Sequence, residues 1–238
     1  MLELGPASRF AHRGLHDATR PRNSLAAIVA AADEGFGVEF DIHLSSDGIP
    51  IVSHDPDTLH DTGVRRRIES TPAAAITELT FAGTDDHLTT LDAVIAHVGP
   101  SVPLLIEIKP TRQVSAVVEA VASRVGGRED SVALQSFHPA IVRRAKRAHP
   151  RFAAGQLGEP AESSLPILRR WHAATLATNV LVRPDFIALE VSMLDGPLAQ
   201  FWHRRLRLPL LAWTVRTGAE VAACQRHGAG MIFEDLRP

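Results

Sequence analysis

Short apolar runs of β type recur along this chain with helical patterns between them, and that alternation narrows the fold more than any single motif. The runs lie around Phe10 and at residues 38–42, 49–53, 104–108, 131–134, 186–189, 210–215 and 230–233. Strands alternating with helices call for a parallel sheet, because parallel neighbours need a crossover and a helix is the usual one. The helices have recognisable ends: Asn23 or Ser24 can cap SLAAIVAAADEG, which Gly35 stops, and Thr89 or Thr90 can cap LDAVIAHVG, which stops at Gly99. Further helical patterns cover 113–125, 138–148, 163–177, 196–205 and 218–227. About eight strands in 238 residues fit a closed (β/α)8 TIM barrel, one α/β domain over residues 1–238, better than an open doubly wound sheet. No repeat, low-complexity tract or Pro/Gly-rich linker divides the chain. The longest irregular stretch runs from about His54 to Thr89, a length typical of functional loops.

Composition sets outer limits. Hydrophobic residues make up 45% and charged residues 22%, ample for one large core. A formal net charge of -2 gives no global attraction to nucleic acid or to an anionic membrane surface, so any anion recognition has to be local. No apolar stretch approaches the roughly 18 residues of a membrane span, so no stable membrane insertion is expected. MLELGPASRF lacks the basic start and apolar run of a secretory signal, and Cys224, the single cysteine, excludes an intrachain disulfide. The sequence reads as that of a soluble cytoplasmic protein.

One strand conflicts with the ordinary pattern. In GVEFDIHL, Val38, Phe40, Ile42 and Leu44 share one face while Glu39, Asp41 and His43 share the other. Inside a closed barrel that second face would carry two carboxylates into a dry interior at a large desolvation cost. Glu107 and Lys109, after PLLI, project together in the same way. Three carboxylates converging on one barrel mouth repel one another, and a hard divalent cation, Mg²⁺ or Ca²⁺, resolves that with oxygen ligands. Arg13 and Lys109 add positive charge at the same mouth and make an anion site suited to a phosphoryl oxygen. His12-Arg13-Gly14, Glu39-Phe40-Asp41, Asp47-Gly48 leading to His54-Asp55, and Glu107-Ile108-Lys109 all follow strands, where barrel enzymes keep their active sites.

The ordered set HRG, P-x-N-S, E-x-D, S-D-G, S-H-D and E-I-K, continuing through Ser136-Phe137, Trp213-Thr214-Val215 and the terminal IFED, resembles the glycerophosphodiester phosphodiesterase family over nearly the whole chain. The resemblance implies a (β/α)8 barrel and metal-dependent hydrolysis of a glycerophosphodiester, a small-molecule substrate, to glycerol 3-phosphate and an alcohol. It implies Glu39, Asp41 and Glu107 as metal ligands, His12 and His54 as the acid/base pair, and Arg13 and Lys109 on phosphate. It also puts Asn23 near the metal or substrate. The chemistry agrees: a phosphodiester needs a base at the attacking oxygen, an acid at the leaving alcohol and cations on the non-bridging oxygens.

One position departs from the family pattern. The usual Pro-Glu-Asn-Thr stands here as Pro21-Arg22-Asn23-Ser24, so a guanidinium replaces a carboxylate, and an Arg22 pointing toward the mouth would stand beside Arg13. Two alternatives stand beside the hydrolase reading: a lysophospholipase D-like relative sharing the barrel and metal site, whose acylated substrate needs an apolar groove, and a weakly catalytic phosphate-binding protein spoiled by Arg22. Trp213 could line the substrate pocket or fill the core. Arg65-Arg66-Arg67 could contact the leaving head group or a second phosphate, or be a solvated face, and Glu234 or Asp235 could bond glycerol hydroxyls or lie at the surface. His16, His43, His60, His87 and His138 match no motif position and receive no catalytic role.

Overall fold

The structure is a computed structural model that describes residues 1–2, 4–160 and 176–238. Its strands are β1 (Arg9–His12), β2 (Gly37–Leu44), β3 (Pro50–Val52), β4 (Thr89–Thr90), β5 (Leu104–Ile108), β6 (Val132–Ser136), β7 (Ala153–Gly158), β8 (Phe186–Glu190), β9 (Leu210–Val215) and β10 (Gly230–Phe233). Eight of them close into a parallel ring in the order β1-β2-β5-β6-β7-β8-β9-β10, with β10 returning to β1. The expected (β/α)8 barrel is therefore the fold.

The membership of the ring differs from the sequence reading in one exchange. The run at 49–53 forms β3, which pairs antiparallel with the end of β2 and with β4 and lies outside the ring. Its place is taken by β7, AAGQLG, a segment without a β-branched residue and therefore without a strand signal. Glycine suits β7 because its neighbour is large: a Cβ at Gly155 would lie 2.2 Å from Phe186 ring carbons.

Period two divides the strands between two cores. Val38, Phe40 and Ile42 of β2 and Leu104, Ile106 and Ile108 of β5 pack outward against the helices. Phe10, Leu105, Ala133, Phe186, Leu211 and Ile232 fill the barrel interior. The helices form where their caps predict: Leu25–Asp33 under the Ser24 hydroxyl, which accepts from the Ala27 N–H, Leu91–His97 under Thr90, Val114–Arg124 and Pro139–Ala148. Gly218–His227 opens with a capping box between Thr217 and Glu220, and the segment 196–205 holds a π-helical stretch, Ala199–Arg205. The helix expected over 163–177 lies outside the described residues apart from its last two. The long stretch after His54 is not irregular: it contains Leu59–Thr62, Ala73–Thr77 and a 3-10 turn, and Ile51, Ile68, Ile76, Phe81 and Leu88 give it an apolar cluster of its own.

Gly155→Ala should destabilise the protein by about 1–3 kcal/mol, the scale of overpacking a tight core. Denaturant titration measures it, and pairing the change with Phe186→Leu should recover part of the loss. Equal midpoints for Gly155→Ala and wild type would show that β7 has room the barrel geometry denies it.

Candidate active site

All eight residues of β2 are buried, so its polar face does point into the barrel. Parallel register then sets the neighbours: His12 lies opposite Glu39, Asp41 opposite Glu107, and Glu107 opposite Gln135. Oxygens of Glu39, Asp41 and Glu107 come within 4.8 Å of one another.

Positive charge is shared unevenly among them. Asp41 has most of it, with Arg13 Nε 3.2 Å away, Lys109 Nζ 3.3 Å away, and the Asn23 amide donating to its Oδ2 at 2.9 Å. Burial pushes the Asp41 carboxyl up, but Lys109, Arg13 and His54 outweigh it and hold the group well below the usual carboxylate range. Glu107 meets Lys109 Nζ at 2.8 Å, yet burial and the Asp41 charge push it up to about 7. Glu39 makes no ion pair among the described residues and accepts hydrogen bonds from the Arg13 backbone N–H at 3.3 Å and the Gln135 amide at 3.4 Å. Burial, then Asp41 and Glu107, raise it well above the ordinary glutamate value. Lys109 is lowered by burial but raised further by Asp41 and Glu107, so it stays charged.

Backbone geometry at the end of β1 brings Arg13 and Asn23 to this cluster. Both adopt positive φ, 57° and 61°, and the Asn23 N–H donates to the Arg13 carbonyl at 2.9 Å. Gly14 follows at φ 81°, where a Cβ would lie 2.5 Å from the Ala27 carbonyl carbon, so the glycine of HRG is a packing requirement. Asn23 is itself buried behind Asp41, its Oδ1 3.4 Å from the Asp41 N–H, and does not line the cavity; it orients a carboxylate.

Two histidines flank the carboxylates, each held at Nδ1. His12 Nδ1 lies 3.0 Å from Glu234 Oε2 and His54 Nδ1 lies 2.7 Å from Asp55 Oδ1. Glu234 also lies 3.1 Å from His16 Nε2 and accepts from Arg216 at 2.6 Å. Those partners keep it well below the usual range, so as an ionised acceptor it takes a hydrogen bond from His12 Nδ1–H and leaves Nε2 as the free nitrogen. Burial lowers both catalytic candidates below the ordinary imidazole value, against the pull of Glu234 on His12 and of Asp41 on His54. His54 is hung from β2: the Ser53 N–H donates to the Asp41 carbonyl at 3.0 Å, and His43 Nε2 lies 3.2 Å from the His54 carbonyl.

A cavity of about 150 Å³ opens over this cluster, lined by His12, Arg13, Glu39, His54, Glu107 and Lys109, with Gln135, Phe137, Leu157, Glu159, Trp213 and Ile232 completing it. Trp213 is at the wall, edge-on to Phe137 at 5.6 Å, with its indole N–H on the Ala188 carbonyl at 3.2 Å. Three expectations land elsewhere. Asp47 caps a turn, accepting from Ser45 and from the Ala73 N–H. Arg22 turns away from the carboxylates, its guanidinium 3.1 Å and 3.2 Å from the ring nitrogens of His60. Arg65 faces Asp57 at 3.9 Å. Gln135 and the pairing of Glu234 with His12 were not anticipated. Gln135 is the polar residue of an otherwise apolar VAL run, and Glu234 follows the strand that ring closure sets beside β1.

Comparison with known proteins gives the following. The model of the Glycerophosphoryl diester phosphodiesterase family matches residues 12–236. Glycerophosphodiester phosphodiesterase 1 of Homo sapiens is 58% identical over 50 residues, 20% of this chain but only 14% of that protein. The Probable glycerophosphodiester phosphodiesterase 1 of Mycobacterium tuberculosis (strain CDC 1551 / Oshkosh) is 26% identical over 249 residues, covering 93% of this chain and 86% of its own length. Among solved structures, a phosphodiesterase of Oleispira antarctica in complex with the product sn-glycerol-3-phosphate has a TM-score of 0.80 at 22% identity, over 96% of this chain and 92% of that one. A glycerophosphodiester phosphodiesterase of Thermotoga maritima gives 0.73 at 23%, over 94% and 93%. At these identities the structural likeness speaks for the fold.

The strained carboxylates make a prediction that needs no substrate. Without divalent cation, the folded protein keeps the Glu107 proton to about 7, whereas the unfolded chain releases it near 4.5, so stability falls as pH rises through that window. His12, His43 and His54, lowered on folding, act in the opposite direction, and comparison with Glu107→Gln cancels them. Denaturant titration should find Glu107→Gln gaining on wild type between about pH 5 and about pH 8. A difference independent of pH would mean Glu107 is not strained.

Proposed function

The chain belongs to the glycerophosphoryl diester phosphodiesterase family, and from that premise we propose that it hydrolyses glycerophosphodiesters to glycerol 3-phosphate and an alcohol. The carrying observation is the cavity in which two carboxylate-held histidines face Arg13 and Lys109 across three buried carboxylates. The likeness to the Oleispira antarctica phosphodiesterase, whose structure holds sn-glycerol-3-phosphate, supports the same product.

The residues present fit a divalent cation. With all three ionised, the carboxylates exceed Arg13 and Lys109 by one negative charge, and Glu39 and Glu107 meet that shortfall by holding protons above the ordinary glutamate range. Glu39, Asp41 and Glu107 would hold Mg²⁺ or Ca²⁺, and such an ion, when bound, supplies Lewis-acid polarisation of the phosphoryl group. Its charge would reverse the balance to one net positive, matching a singly charged diester.

The chain's own groups do the rest. Arg13 and Lys109 hold the non-bridging oxygens. One imidazole takes the proton of the glycerol 2-hydroxyl as that oxygen attacks phosphorus, and the other gives a proton to the alcohol oxygen as its P–O bond breaks. The imidazoles then exchange roles while water opens the cyclic phosphate. Glu234 and Asp55 fix the Nδ1 protons, so both Nε2 atoms remain for transfer. Trp213 and Phe137 offer a wall for the glycerol carbons. Arg22, at His60, gives no support to a spoiled site.

The test is incubation with a panel of glycerophosphodiesters after chelation, with and without added Mg²⁺ or Ca²⁺, detecting released glycerol 3-phosphate. Turnover should require the cation, and turnover that persists in chelator would remove the metal. His12→Ala and His54→Ala should each lower kcat by about 10² or more. A 2-deoxy diester should bind without reacting; if it reacts at the normal rate, water attacks directly.

A further inference from the structure

Beside the catalytic cavity lies a larger groove, about 610 Å³, lined by Arg67, Glu69, Pro110, Thr111, Arg112 and His138. The two spaces share a wall. Lys109 lines the cavity and Pro110 the groove, and Phe137 lines the cavity and His138 the groove. A diester whose phosphate sits at Lys109 therefore has this groove next to it, on the side where β5 and β6 end and the segment after His54 folds over.

The groove has a positive excess, two arginines against one glutamate. The Arg67 and Arg112 side chains are exposed and make no ion pair or hydrogen bond among the described residues. His138 Nδ1 accepts the Ala140 N–H at 3.2 Å, which puts the ring proton on Nε2 and makes the imidazole a donor. Helices Val114–Arg124 and Pro139–Ala148 begin just beyond Arg112 and His138 and turn their positive ends to the same side. Glu69, the one acid, is occupied: the Thr111 hydroxyl donates to its Oε1 at 2.6 Å, tying the segment after His54 to the barrel. Two guanidiniums without an ion pair among the described residues, with an imidazole donor, outweigh the one carboxylate and suit an anion better than a quaternary or primary ammonium. The formal charge of the whole chain is -2, so this is a local arrangement.

We propose that the groove is the leaving-group subsite and selects glycerophosphodiesters whose alcohol bears a second anion, a phosphate or a carboxylate. This rests on the hydrolytic reading above and narrows its substrate class. Arg67 and Arg112 act on binding, so their contribution falls in KM.

The experiment compares kcat/KM of the cation-loaded enzyme for three diesters differing in the alcohol: choline, glycerol, and glycerol carrying a second phosphate. Wild type, Arg67→Gln, Arg112→Gln and the double variant are compared, with thermal melting to check folding. His12→Ala protein, wild type or double variant at the arginines, is titrated calorimetrically with the same diesters and with inorganic phosphate. Wild type should favour the anionic diester over the glycerol diester by roughly three- to tenfold, through KM, and the double variant should bring that ratio toward one. Hydrolysis of all three diesters with no anionic preference, or with a preference the double variant retains, would overturn the subsite and leave the hydrolytic reading standing. If nothing is hydrolysed but the anionic diester binds more tightly and loses that advantage in the double variant, the hydrolytic reading fails and the subsite survives. Phosphate binding that depends on both arginines, without discrimination among the diesters, would make the groove a free-anion site and overturn the proposal.

Discussion

Three carboxylates held within 4.8 Å of one another inside a barrel are the constraint around which the rest of this molecule is arranged. In a dry interior they would neutralise by protonation unless cations met them, and the fold supplies two. Both guanidinium and ammonium converge on Asp41, which is fully ionised as a result. Glu39 and Glu107 carry the shortfall. The unevenness comes from placement: register sets Asp41 opposite Glu107, within reach of the Lys109 ammonium that Glu107 also meets, and Asp41 alone adds the Arg13 guanidinium. A site with balanced ion pairs would be stable and inert; this one has a charge deficit that an added cation would fill.

The strand that creates the problem also organises the answer. β2 exposes Val38, Phe40 and Ile42 to the outer helices, so it cannot slip by one residue without exchanging an apolar face for a charged one. With the register so pinned, His12 of β1 falls beside Glu39, Gln135 lies one strand past Glu107, and His54 is tethered through Ser53 and His43 to the end of the same strand. Each histidine has its own carboxylate partner at Nδ1, and their surroundings differ. The His12 side chain is 15% exposed and shares Glu234 with His16 and Arg216, whereas that of His54 is 40% exposed and has Asp55 from its own loop.

Much of this could be read in the chain because period two and strand-end motifs are local signals. GVEFDIHL revealed its inward face, and HRG, S-H-D and E-I-K marked the ends of β1, the loop after β3, and β5. What escaped depended on partners distant in sequence. Ala153–Gly158 is a strand because Phe186 fills the space its glycines leave, and a count of β-branched residues does not detect that. Pro50–Val52 carries a strand signal, but whether it joins the ring or folds back on β2 is decided by pairing. Glu234 is 222 residues from His12 and meets it only through closure of β10 on β1. Asn23 was read as lying near the metal or substrate; its hydrogen bond to Asp41 depends on a left-handed backbone that the sequence P-R-N-S does not announce.

Arg22 illustrates how a charge reversal near a site can act at one remove. Its guanidinium lies against His60, in the segment after His54, and not against the carboxylates. The acid that feels it is Asp55: burial raises that carboxyl, and the hydrogen bond and charge of His54, followed by the charges of His60 and Arg22, bring it below the ordinary value. Asp55 in turn holds His54 Nδ1 at 2.7 Å. A glutamate at position 22, the residue of the family pattern, would stand near Asp55 as a like charge and weaken its hold as an ionised acceptor. The guanidinium here does the opposite and favours the ionised form that fixes the His54 tautomer. The substitution therefore leaves the three buried carboxylates to their own balance and bears on the imidazole that faces them.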